Sequence, residues 1–187
     1  VNVLIFGPPG AGKGTQALNI AKKFNLYQVS TGDLLRKEVK NKTIIGMYIE
    51  NIISKGDFAT DEIVNELIKN IVDDSQRKNK LIFDGYPRSL SQAENLDQLL
   101  KASNQKIDFI FFLNVKKETI IKRIEKRKIL EKRADDNLST ILKRYDTYME
   151  TTKPVLDFYS KNPNFYEIDG SEKIDEISRK IEQILSV

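Results

Sequence analysis

An α/β fold with a five-stranded parallel sheet flanked by helices is what this sequence predicts, on three observations. Short apolar runs of strand length alternate with longer amphipathic runs along the chain. The first of them, Val1 to Phe6, empties into Gly7-Pro8-Pro9-Gly10-Ala11-Gly12-Lys13-Gly14-Thr15-Gln16, and an amphipathic run, Ala17 to Phe24, leads out. The 187 residues suffice for one domain with a proper core, and no low-complexity linker or repeat divides them.

Strands are expected at Val1–Phe6, Tyr27–Ser30, Leu81–Asp84, Asp108–Leu113 and Phe165–Ile168. Helices are expected at Thr15–Phe24, Asp33–Lys40, Ile44–Ser54, Asp61–Asp73, Leu90–Lys101, Glu118–Arg127, Leu138–Ser160 and Ile174–Leu185. In the longest of these, Leu138, Ile141, Leu142, Tyr145, Tyr148 and Met149 recur at helical spacing and are expected in the core, while Pro154 predicts a kink or an early end. Two stretches interrupt the alternation. Thr31 to Asp61 inserts short helices between the second and third strands, and Arg127 to Asn137 is a charged connector without an apolar period. Insertions at the ligand-facing edge of a parallel sheet are candidate lids.

Composition narrows the chemistry. With no cysteine there is no disulfide frame, thiol catalysis or cysteine-based zinc knuckle, and with no histidine the commonest general base is missing. Whatever reaction occurs must run on positioning, cations and carboxylates. A net charge of +4 suits an anionic ligand, or reflects a lysine-rich composition; the charges are scattered, which argues against a dedicated nucleic-acid surface. No signal peptide and no apolar run of membrane-spanning length is evident, so the expected setting is the cytoplasm.

Strand, glycine-rich loop and helix together form the setting of a phosphate-cradling loop: glycines let the backbone bend with its N–H groups inward, and the helix start and the Lys13 ammonium face the same polyphosphate. The ordinary pattern places a hydroxyl directly after the lysine; here Gly14 intervenes and the hydroxyl is Thr15. Ser30-Thr31-Gly32-Asp33-Leu34-Leu35-Arg36 has the spacing of a capped helix start, and Arg36, a turn into that helix, can also clamp a phosphate. Asp84 ends a buried-looking strand, where it either caps the turn into Gly85 or organises magnesium through its waters; Asp33 can assist through water. Gly85-Tyr86-Pro87-Arg88 is a turn bearing an arginine, and Ser89 with Gln92 forms a second capping pair. Arg123 and Arg127 lie one helical turn apart, Arg133 lies in the charged connector, and Arg144 lies in the next helix; each is a surface arginine by itself, and as a set they can converge on one anion.

Taken together, Gly7 to Thr15, Ser30-Thr-Gly-Asp-Leu-Leu-Arg36, Phe83-Asp-Gly-Tyr-Pro-Arg88 and Arg133-Ala-Asp-Asp-Asn137 resemble the nucleoside monophosphate kinases, most closely the adenylate kinases with a short lid. The resemblance runs nearly end to end, and the displaced Thr15 is that family's own loop variant. It implies a phosphate-loop nucleoside triphosphatase fold and reversible transfer between ATP and AMP to give two ADP, with magnesium and without a structural zinc. It also implies a core of residues 1–29, 60–126 and 137–187, a monophosphate-binding insertion at 30–59 and a lid at 127–136. ATP is expected on Gly10, Ala11, Gly12, Lys13, Gly14 and Thr15, with Arg123, Arg127 and the loop backbone near Glu172. AMP is expected on Thr31, Arg36, the backbone of Asp57-Phe58-Ala59, Gly85, Tyr86, Pro87 and Arg88, with Gln92 as the adenine reader. Arg133 and Arg144 are assigned to the phosphates around AMP and to the transferred group, with Lys13, Arg88, Arg123 and Asp135 also catalytic, and Asp135 and Asp136 can pair with arginines on closure. A monomer in the cytoplasm, binding neither nucleic acid nor membrane, completes this expectation.

A UMP/CMP kinase is the nearest alternative. Relatives preferring pyrimidines tend to carry Ala and Asn where this chain has Thr31 and Gln92, which favours AMP. A GTP switch would require an Asn-Lys-x-Asp guanine reader, and neither Asn41-Lys42 nor Asn79-Lys80 continues to that aspartate. A phosphate-loop protein binding nucleic acid through its basic charge is the remaining class.

Overall fold

The computed structural model describes residues 1–54, 59–131 and 138–186, without the side chains of 53, 54, 127–131, 138, 140, 141 and 144. Its strands are β1 (Asn2–Phe6), β2 (Tyr27–Ser30), β3 (Leu81–Asp84), β4 (Phe109–Asn114) and β5 (Phe165–Asp169). They form one all-parallel sheet in the order β2-β3-β1-β4-β5. The helices are α1 (Lys13–Phe24), α2 (Thr31–Lys40), α3 (Ile44–Ser54), α4 (Asp61–Val72), α5 (Leu90–Ala102), α6 (Lys117–Glu131), α7 (Leu138–Thr151), α8 (Lys153–Tyr159) and α9 (Ile174–Leu185), with a 3₁₀ turn at Ser75–Arg77. The predicted five-stranded sheet and its flanking helices are borne out.

Each strand sends alternate side chains to opposite faces. On one face Val3, Ile5, Ile82, Phe111 and Ile168 pack with Ala17 and Ile20 of α1 and Ile177 and Ile181 of α9. On the other, Leu4, Phe83 and Ile110 pack with Ile68 of α4, Leu96 of α5 and Val155 of α8. Because β1 sits between β3 and β4, the loop after β1 opens at the point where strand order reverses, above the strand C-termini.

One polar residue lies within the apolar first strand. Asn2 is fully buried; its amide donates to Gln105 Oε1 (3.2 Å) and to the Lys106 carbonyl (3.0 Å), and its Oδ1 accepts from the Leu81 N–H (3.2 Å). Gln105 in turn donates to the Val72 carbonyl at 3.1 Å, so two buried amides close the lower edge of the sheet.

The expected single helix from 138 to 160 is two. It breaks at Thr152, and Pro154 falls in the first turn of α8, where a missing N–H costs nothing. Tyr145 packs against the core as expected, whereas Met149 is 41 % exposed. α6 continues to Glu131, past the Arg127 at which the connector was expected to begin. The insertion after β2 consists of α2 and α3, held closely together: a Cβ on Gly46 would fall 2.0 Å from the Glu38 carbonyl oxygen.

Candidate active site

The loop between β1 and α1 turns on backbone that favours glycine. Gly12 has φ +91° and forms the N-cap of α1, its carbonyl accepting from the Gln16 N–H at 3.1 Å. Ala11 is buried, its N–H donating to the Pro8 carbonyl at 3.0 Å, while Gly12, Gly14 and Thr15 are exposed at the helix start. This arrangement turns the positive end of a helix toward the sheet edge. Gln16 serves the scaffold: its amide donates to the Ile174 carbonyl (2.9 Å) and accepts from Ser178 Oγ (2.7 Å), fastening α1 to α9.

Lys13 reaches back across the loop and donates to the Pro8 carbonyl at 3.1 Å. Burial pushes its pKa down to about 8, against a pull upward from Asp84 and a further push downward from Arg88. Asp84, at the end of β3, lies against the loop; a Cβ on Gly14 would be 3.5 Å from its Oδ2. Burial raises the Asp84 pKa, while Lys13, a 3.4 Å hydrogen bond from Gln28 and Arg88 draw it back down. Lys13, Asp84 and Arg88 thus act on one another's charge at one sheet edge.

The β3–α5 turn forms the opposite wall. The Gly85 carbonyl accepts from Arg88 Nε (2.8 Å) and from Thr31 Oγ1 (3.1 Å), joining the turn to the start of α2. Gly85 has φ +79°, and a Cβ there would meet Arg88 Nη2 at 3.2 Å. Tyr86 and Pro87 are buried; the Tyr86 hydroxyl donates to Asn65 Oδ1 at 2.7 Å, and its ring anchors the turn to the core. Gln92, also buried, accepts from the Arg88 N–H (2.7 Å) through Oε1 and donates to Asp61 Oδ1 (2.7 Å) through Nε2. Arg36 and Asp33 are exposed and paired with each other, and the hydrogen bond from Arg36 holds the Asp33 carboxyl below its usual range. Ala59 packs under this wall, against the core face that contains Phe83. Asp57 and Phe58 lie outside the described residues.

Beyond the loop, Arg123 of α6 donates to three carbonyls: Ala11 (3.3 Å), Gly170 (2.6 Å) and Glu172 (3.5 Å). It therefore joins the phosphate loop to the loop after β5. The Glu172 side chain turns to Lys180 (2.6 Å), so it is the backbone of this residue that meets Arg123. Arg127 and Arg144 stand on α6 and α7, but their side chains, like all of Arg133, Asp135 and Asp136, lie outside the described residues.

Three residues escaped the sequence reading. Gln28 contacts Asp84, Asp61 holds Gln92, and Gly170 receives Arg123. Asp61 reads in the sequence only as the start of a helix, and Gln28, a polar residue two before Ser30 on the same strand face, offers a signal left unused. Among the described residues no three carboxylates, histidines or cysteines gather to hold a metal. A lone carboxylate pressed against a phosphate loop suits a magnesium ion that arrives on ATP, as the family uses it, because magnesium is ordinarily held by one or two carboxylates together with substrate phosphates.

A family model described as adenylate kinase matches residues 5–164. The chain is 49 % identical to the adenylate kinase of Pelagibacter ubique (strain HTCC1062), all of both chains being covered. It is 40 % identical to that of Azobacteroides pseudotrichonymphae genomovar. CFP2, over 97 % of this chain and 95 % of the relative, and 35 % identical to that of Nocardioides sp. (strain ATCC BAA-499 / JS614), over 100 % and 98 %. Matched by the family model over most of its length and by relatives over nearly the whole of theirs, this chain belongs to the adenylate kinase family.

Proposed function

We propose that the chain moves a phosphoryl group reversibly between ATP and AMP, forming two ADP and so balancing the adenine nucleotide pool. The observation that carries this reading is the meeting of Lys13 and Arg88 beside Asp84, between a phosphate loop and a second, arginine-bearing turn. Two cations facing each other across a sheet edge suit two phosphate chains laid end to end.

ATP lies along Gly10 to Thr15, its terminal phosphates against Lys13 and the loop N–H groups, with the base toward Arg123 and the Glu172 backbone. AMP lies against Thr31, Arg36 and the Gly85–Arg88 turn, its adenine read by Gln92. The attacking oxygen of AMP is already ionised, so transfer needs no general base, and a chain without histidine loses nothing. Lys13 and Arg88 counter charge on the transferring group, an electrostatic contribution that grows once water is excluded. Asp84, and Asp33 beyond it, would hold magnesium through its waters; when bound, the ion supplies charge neutralisation and orients the phosphates. We assign closure to the 30–59 insertion and the 127–136 lid, with Arg127, Arg133, Arg144 and Asp135 completing the site. The protein acts as a cytoplasmic monomer, apart from nucleic acid and membranes.

Thr31 and Gln92, with relatives that are named adenylate kinases, favour AMP over UMP or CMP. Turnover of AMP, UMP and CMP with ATP, with and without magnesium, tests the reading. Magnesium-dependent ADP formation from ATP and AMP is expected; failure to form ADP from that pair, or faster turnover of a pyrimidine monophosphate, overturns it.

A further inference from the structure

The amide of Gln92 is held at both ends by groups of opposite character. The Arg88 N–H is a donor and meets Oε1 at 2.7 Å; the Asp61 carboxylate is an acceptor and meets Nε2 at 2.7 Å. A carboxamide turned the other way would set two donors together and two acceptors together, so these neighbours admit one orientation. The frame around it is equally fixed. The Gln92 N–H donates to Ser89 Oγ (3.2 Å), and the Tyr86 hydroxyl, which gives its one proton to Oδ1 of Asn65 (2.7 Å), one turn beyond Asp61 on α4, lies 3.3 Å from the Gln92 carbonyl. A carboxamide has two N–H groups and two acceptor positions, so each end keeps one for an incoming base.

We propose that Asp61 is a specificity-determining positioning residue: by accepting from Gln92 Nε2 it sets which end of the amide donates. The open edge of Gln92 then accepts from a 6-amino group and donates to the neighbouring ring nitrogen. A 6-oxo purine reverses that order, with O6 accepting and N1–H donating, and meets like against like. Asp61 therefore selects 6-amino over 6-oxo purine monophosphates without touching either. This rests on the reading of Gln92 as the base reader.

The test is steady-state turnover of the full chain with ATP and either AMP or inosine 5′-monophosphate, for the unaltered protein, Asp61→Ala, Asp61→Asn and Gln92→Leu. Asp61→Ala removes the acceptor. Asp61→Asn keeps the volume at the start of α4, but its own amide can turn either way. For Asp61→Ala, the ratio of kcat/KM for AMP to that for the inosine nucleotide is expected to fall at least about tenfold, the size of one charge-assisted hydrogen bond. The change should lie in KM, with kcat for AMP within about twofold. The ratio should fall for Asp61→Asn too, which decides the matter if the alanine variant does not fold. An unchanged ratio in a folded Asp61 variant, or a loss shared equally by both nucleotides, leaves Asp61 a purely structural residue and overturns the inference. Gln92→Leu separates the two claims: if it abolishes discrimination while Asp61 variants keep it, the reader stands and its positioning by Asp61 falls. If Gln92→Leu keeps full discrimination, the reading of Gln92 falls first.

Discussion

Lys13 Nζ and the Pro8 carbonyl oxygen are 3.1 Å apart, so the loop's only lysine ties the loop to itself. Burial brings its pKa down to about 8. A polyphosphate bound as proposed would stabilise the ammonium and raise that value again, so binding near pH 8 is expected to take up roughly half a proton equivalent. Titration calorimetry of ATP in two buffers of different ionisation enthalpy should report it. For folding, the sign is set by the depressed value: the unfolded chain keeps this proton to about 10.5, the folded chain only to about 8, so the contribution of Lys13 to stability rises with pH between them.

Lys13→Met should fold normally, since a linear apolar chain replaces a largely desolvated one. It should lose turnover by about 10³-fold, as for removal of a preorganised electrostatic donor. Proton uptake on ATP binding should vanish with it. Circular dichroism, coupled-assay kinetics and the same calorimetry check the three outcomes.

Arg88→Ala removes the side chain that donates to the Gly85 carbonyl and stands beside Lys13 and Asp84, yet it keeps the backbone N–H that orients Gln92. Turnover is expected to fall on the order of 10³-fold or more, by analogy with arginine fingers, while base preference is preserved. Rapid-quench measurement of ADP formation would show near-normal transfer if Arg88 has no part in it.

Gly85→Ala places a methyl group on backbone with φ +79°, 3.2 Å from Arg88 Nη2 and 3.4 Å from Thr31 Oγ1. The Arg88 guanidinium must give way by part of an ångström, while Thr31 is left in ordinary contact. KM for AMP should rise on the order of tenfold or more while KM for ATP stays put, because displacement of a positioning group by even part of an ångström is costly. Initial-rate kinetics with each nucleotide varied in turn checks the asymmetry.

Asn2→Leu strands the Leu81 N–H and the Lys106 carbonyl far from the nucleotide sites. A loss of about 3 kcal/mol is expected, or roughly 6–12 °C in Tm, with kcat at 25 °C unchanged. Scanning calorimetry beside a turnover assay separates stability from function.

The strands were the most legible part of this fold. Tyr27–Ser30 and Leu81–Asp84 match to the residue; the second is a short apolar run closed by an aspartate, and the first ends at the capping Ser30 that opens α2. The break at Thr152 was legible only as a proline, because Pro154 marks where a helix begins as readily as where one ends. Asn2 was not legible; a polar residue in an apolar run reads as tolerated exposure until Gln105, over a hundred residues away, is folded against it. The bend of the loop could be read because glycine at 10 and 12 is a local signal, and both take positive φ. The bonds from Arg123 to Ala11, Gly170 and Glu172 could not, because a carbonyl oxygen is present at every residue and marks none.

That three-way grip has a consequence for the order in which the protein is made. The phosphate loop is made well before the loop after β5, yet the carbonyls that seat Arg123 include those of Gly170 and Glu172, and Gln16 waits for Ile174. A nascent chain that stops short of β5 has the loop without its wall. The wall that Arg123 builds beside the phosphate loop is therefore complete only once the chain beyond β5 has been made.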